Sequence, residues 1–129
     1  MTQFHMIPGA PAPVAPFSHA AEADGWVFVT GQLPIYPGEE DRPLPADLDA
    51  QTRLTFSNLR TVLRALGLDL ENVVCARCFL THFEEDYSAF NRIYAEYFPE
   101  NRRPARTCIG VTALARQARV EIDFIVKRP

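Results

Sequence analysis

Apolar positions in this chain recur with two periods, and each change of period marks an element. Between Leu48 and Leu66 they fall three or four residues apart, at Leu48, Thr52, Phe56, Leu59, Val62, Leu63 and Leu66. That is the stripe of an amphipathic helix. Asp47 suits the N-cap and Gly67 the position just past the end, so the spacing predicts a helix between them. A second helical stripe runs Phe83, Tyr87, Phe90, Tyr94, Tyr97. Thr81-His-Phe-Glu84 has capping-box spacing and predicts its start; Pro99 stops it after about Phe98. An aromatic stripe of this kind reads as core.

The remaining apolar runs are short. Residues 18–23 and 26–30 flank Asp24-Gly25, a strong hairpin signal. Residues 73–80, 106–111 and 120–126 read as further strands, and the Pro-rich arm allows one more within 4–7. Four prolines and the acidic run Glu39-Glu40-Asp41 make 33–45 a loop with a solvated acidic tip. Residues 112–118 read as the turn of a terminal hairpin. Strands interrupted by only two helices predict one α+β domain over residues 1–129, a sheet with both helices on one face.

The strands 26–30, 73–80 and 120–126 are apolar at nearly every position, whereas a strand with one wet face alternates. Two helices cover one face. The other needs a second copy of the chain, or the loops and the Pro-rich arm. Composition narrows the rest: 129 residues, 47% apolar, net charge −3. The acidic balance argues against nucleic acid as a partner. No stretch is long and apolar enough to cross a membrane, and the first residues lack a secretion signal, so a cytoplasmic protein is expected. Three cysteines make a poor disulfide framework. Cys75 and Cys78 imitate a redox pair, but three residues apart on a strand they face opposite ways, so they read as small core residues. His5, His19 and His82 lack ligand spacing, which predicts no metal site and hydrogen-bonded surface or rim positions for all three.

Charges in the last two strands carry the candidate chemistry. Period two separates Thr107, Ile109 and Val111 from Arg106, Cys108 and Gly110. It likewise separates Val120, Ile122, Phe124 and Val126 from Glu121, Asp123 and Ile125. If the apolar sets meet the helices, Arg106, Cys108, Glu121 and Asp123 share the far face. A hairpin centred near Ala115 would then set Arg106 across from Asp123 and Cys108 across from Glu121. Two readings are open: an interface salt bridge, or a small-anion pocket in which Arg106 grips a carboxylate and Glu121 holds a water or takes its proton. Gly31 is either an ordinary turn glycine or a place where backbone approaches a ligand.

Four blocks carry a family resemblance: Ala15-Pro-Phe-Ser-His-Ala20, Val29-Thr-Gly-Gln-Leu-Pro34, Pro104-Ala-Arg-Thr-Cys108 and Val120-Glu-Ile-Asp123. In order and spacing they resemble the RidA (YjgF-type) reactive-intermediate deaminases over about residues 8–127. The resemblance implies a chorismate-mutase-like fold and a homotrimer whose sheets form a central barrel with clefts at the subunit seams. It implies hydrolysis of 2-imino acids and their enamine tautomers, such as 2-aminoacrylate, to 2-keto acids and ammonia, without cofactor. Arg106 falls on the carboxylate anchor and Glu121 on the water-activating acid. Cys108 and Gly31 match backbone contacts, Thr30 a pocket hydroxyl, Phe17 a pocket aromatic and Asn91 a pocket-side asparagine. Phe17 replaces a common Tyr, and Thr30 a common Ser. Phe17 and the second-helix run Ile93-Tyr-Ala-Glu-Tyr-Phe-Pro99 also resemble family branches that act on aminoacrylate- or aminomuconate-type intermediates. A non-catalytic trimer that binds small carboxylates is the competing class.

Overall fold

The computed structural model describes residues 1–129. Its strands are β1 (Gln3–His5), β2 (Ala20–Ala23), β3 (Trp26–Gln32), β4 (Val73–Leu80), β5 (Ala105–Gly110) and β6 (Val120–Lys127). The helices are α1 (Leu48–Ala65) and α2 (Phe83–Tyr97). All six strands form one mixed sheet in the order β1-β2-β3-β6-β4-β5. Both helices pack on one face, the α+β arrangement expected from the sequence.

Helix α1 begins and ends where its sequence directs. The Asp47 carboxylate accepts the Ala50 N–H at 2.7 Å. At the other end Gly67 takes φ +75, a left-handed value that favours glycine. The Gly67 N–H then reaches the Arg64 carbonyl, and the Leu68 N–H reaches that of Leu63. This double closure satisfies carbonyls that the helix leaves orphaned.

The expected capping box of α2 does not form. The Thr81 N–H instead donates to the Arg119 carbonyl, continuing the strand, while the Thr81 hydroxyl meets His82 Nδ1 at 2.9 Å. His82 becomes the N-cap without a side-chain bond to the helix. Glu84, Glu85 and Asp86 in the first turn face the positive end of the helix dipole.

The terminal hairpin is a second correction. Strand β5 runs parallel to β4, with Ala76 beside Arg106 and Cys78 beside Cys108. Strand β6 enters the middle of the sheet, antiparallel to both β3 and β4. The physical reason lies in burial. Val120, Ile122, Phe124 and Val126 are each at most 1% exposed, a degree of cover that only a central strand receives. With β6 in the middle, β4, α2 and β5 form a β-α-β unit, and α2 lies over the pair it connects.

Phe56 of α1 centres the core. Its ring stacks on Tyr97 at 4.0 Å and meets Tyr94, Phe98 and Phe124 between 6.0 and 6.4 Å. The fully buried Asn58 donates to the carbonyls of Leu33 and Ile35, which anchors the long loop on α1. The opposite face of the sheet has no helix. Phe4 and Phe28 are 71% and 50% exposed there, on the side that also carries Ile125.

His19 is buried rather than at a rim. Its Nδ1 accepts the Ile7 N–H at 2.8 Å and its Nε2 donates to the Pro11 carbonyl at 2.8 Å. These two bonds require the neutral Nε2–H tautomer and tie the Pro-rich arm to the sheet. Replacing His19 by Leu should leave the Ile7 N–H unpartnered at a cost of about 1–3 kcal/mol. The expected signature is faster hydrogen exchange at the Ile7 amide, with core amides of β6 little changed.

Candidate functional site

The residues singled out from the sequence fall into two groups on one chain. The first gathers where β3 meets β6. Three steps along β3, from Val29 to Gln32, match two along β6, from Phe124 to Ile122. The extra residue is a bulge at Thr30-Gly31, and bulges commonly re-aim side chains beside functional sites. The Glu121 side chain lies over Gly31. A Cβ added at Gly31 would sit 2.9 Å from the Glu121 carboxyl carbon, so a glycine is what lets this carboxylate settle on the backbone.

Glu121 is half-buried and receives no hydrogen bond within the chain. Burial, reinforced by the nearby Asp123 carboxylate, raises its pKa above the ordinary 4.5. Thr30 directs its hydroxyl proton to the Ser18 carbonyl at 2.6 Å, which leaves its oxygen lone pairs for a ligand. Phe17 is 38% exposed and lines a narrow crevice with Gly31, His19 and the prolines of the arm.

The second group lies on the edge strand. Arg106 projects toward α2, not to the open face as the period argument held with the apolar positions turned inward. Thr107 and Ile109 face outward in its place, and Ile109 is 45% exposed. The cause is the parallel pairing with β4: Arg106 and Cys108 stand beside the buried Ala76 and Cys78 and share their face. Arg106 Nη2 donates to Asn91 Oδ1 at 2.7 Å and to the Tyr87 hydroxyl at 3.4 Å. Its guanidinium lies 4.8 Å from the Tyr94 ring centroid and 5.7 Å from that of Phe90. No carboxylate partners it, and Nε and Nη1 make no bond within the chain. Burial raises the Cys108 thiol pKa, partly offset by Arg106, and pushes that of Cys78 up to about 12.

The salt-bridge reading, Arg106 with Asp123 or Glu121, is not met within the chain. Asp123 is claimed by Arg77, which donates to both its oxygens at 2.9 and 2.8 Å. That pair was not foreseen, because Arg77 and Asp123 become neighbours only once β6 lies beside β4. Glu121 and Arg106 sit on opposite faces, with β4 between their strands. One group offers a carboxylate, a hydroxyl oxygen and an aromatic wall; the other offers a fixed cation and an amide. No group of three or more His, Cys, Asp or Glu side chains converges as metal ligands would, and no helix is long and apolar enough to cross a membrane.

Comparison with known proteins agrees with the blocks read from the sequence. The model of the family described as Endoribonuclease L-PSP matches residues 8–128. A RutC family protein of Synechocystis is 37% identical over 93% of this chain and 92% of its own length. The Rid-family protein YyfA of Yersinia pestis has a structure that superposes with TM-score 0.92 at 32% identity, covering 99% of this chain and 100% of its own. Escherichia coli TdcF, solved with bound serine, superposes with TM-score 0.87 at 28% identity over 97% and 99% of the two chains. The chain belongs to the L-PSP (YjgF/RidA) family, and its fold is the family's.

The Gly31–Glu121 contact yields a test. Gly31→Ala should displace the flexible Glu121 carboxylate and leave the backbone in place. The urea midpoint should move little, while the displaced Glu121 carboxyl, followed by NMR titration, should titrate closer to the ordinary 4.5 than in the wild type.

Proposed function

We propose that this protein hydrolyses 2-imino acids and their enamine tautomers to 2-keto acids and ammonia. The single observation that carries the reading is Arg106: a half-buried guanidinium held in place by an amide and aromatic rings, without a carboxylate, and with Nε and Nη1 open. Such a group suits two parallel bonds to a substrate carboxylate. Membership of the family supports the reading, as does the name reactive intermediate deaminase borne by E. coli TdcF, 29% identical over 92% of this chain. The net charge of −3 favours a small acid over RNA as ligand.

The two half-sites become one cleft when β5 of one copy meets the β3–β6 bulge of the next. Three copies with their open faces inward would also cover Phe4, Phe28 and Ile109 and form the expected barrel. In each of its three clefts Arg106 and Asn91 come from one copy, and Phe17, Thr30, Gly31 and Glu121 from its neighbour. The Cys108 backbone flanks the anchor.

The chemistry is modest. A protonated imine is already electrophilic at C2. Glu121 takes a proton from the attacking water as the C–O bond forms. It returns that proton to the amino group of the resulting carbinolamine. The C–N bond then breaks, ammonia leaves, and the hydroxyl proton is lost to give the keto acid. Arg106 stays charged throughout and fixes the substrate.

Two outcomes follow. Arg106→Ala and Glu121→Gln should each abolish the acceleration of ammonia release from an imino acid generated in situ by an amino-acid oxidase. Refolding the two inactive variants together in equal amounts should restore about a quarter of wild-type activity, because that share of junctions pairs an intact Arg106 with an intact Glu121. No recovery would mean that each chain carries its own site. Because Glu121 acts as the carboxylate and its pKa is raised, kcat/KM should fall as pH drops through a value above 4.5. A pH–rate profile locates that limb.

A further inference from the structure

Arg103 and Arg106 line the same cleft, about 390 Å³ in volume, with Asn91, Tyr94, Ala95 and Pro104. That volume suits a small metabolite. Nine of the twelve arginines in the chain have a carboxylate within 4.0 Å, and Arg103 and Arg106 are among the three that do not. Arg103 is positioned nonetheless: its Nε donates to the Phe98 carbonyl at 3.2 Å. Its two terminal nitrogens make no bond within the chain. An exposed and a half-buried guanidinium, each with free donors, thus border one space.

Tyr94 also lines the cleft, its ring beside the Arg106 guanidinium. Its side chain is 5% exposed and its hydroxyl has no hydrogen-bond partner, an uncommon state for a buried polar group. Burial raises its pKa, so the hydroxyl keeps its proton and can donate. A single carboxylate on Arg106 would leave Arg103 without a counter-charge.

We propose that the cleft takes substrates with two acid groups, 2-imino dicarboxylates, whose distal carboxylate is held by Arg103. The assignment rests on the reading of Arg106 as the anchor for the carboxylate next to the imine. Residues three apart on an extended chain are separated by roughly 10 Å at Cα. A four- or five-carbon diacid gripped at each end by a long arginine side chain fits a separation of that order.

Calorimetry with the stable keto-acid products tests it on the intact protein, using 2-oxoglutarate against 2-oxobutanoate. The wild type should bind 2-oxoglutarate about tenfold or more tighter, the worth of one further charge-assisted contact. Arg103→Leu should remove that preference and leave 2-oxobutanoate affinity unchanged, which also shows that the variant is folded. Arg103→Lys should recover part of it. Equal affinities in the wild type, or a preference that survives Arg103→Leu, would overturn the dicarboxylate assignment while Arg106-dependent binding of 2-oxobutanoate stands. If neither acid binds, or Arg106→Ala changes nothing, the anchor itself is wrong and the assignment falls with it.

Discussion

The insertion of β6 between β3 and β4 is the constraint from which the rest of the molecule follows. Its inward residues, Val120, Ile122, Phe124 and Val126, close the core under both helices. Its outward residues, Glu121 and Asp123, are thereby held on a face that no helix covers. Because β6 takes the centre, β5 is pushed to the edge, and Arg106 is carried away from Glu121. One decision about strand order thus sets both where the core closes and why the chemically interesting residues lie apart on a single chain.

The distribution of charge sharpens this picture. Most arginines are neutralised locally: Arg119 grips the buried Asp86 at 2.8 and 2.9 Å, Arg128 binds Glu22, and Arg53 binds Glu96 in a two-bond pair. Exposed pairs of the last kind contribute little to stability. They do keep guanidiniums from seeking other anions. Arg106 is treated differently. It is oriented by the neutral Asn91 and by the negative faces of Tyr94 and Phe90, which steady a cation without cancelling its charge. Glu121 shows the complementary state, a partly buried carboxylate left without a donor.

The elements were legible because period and caps are local properties. Asp47, Gly67 and Pro99 bounded the helices, and β4 matches its expected limits at Val73–Leu80. The inward set on β6 was correct for the same reason. What failed was non-local. Nothing between residues 111 and 119 announces that the chain crosses β4 instead of turning back on β5. That crossing turns Arg106 toward the helices and makes neighbours of Arg77 and Asp123. The burial of His19 is not legible in the sequence, because its partners are backbone groups of Ile7 and Pro11, which leave no mark in side-chain spacing. The family blocks located Gly31 and Glu121 individually, whereas their contact depends on a bulge that only the β3–β6 register reveals.

Strand β5 pairs on one side only, with β4, so its outer row of backbone donors and acceptors has no sheet neighbour. Open edges of this sort are templates on which other chains stack and precipitate. The segment that carries Arg106 is therefore also the segment whose open edge bears on solubility, and a substitution there alters both at once.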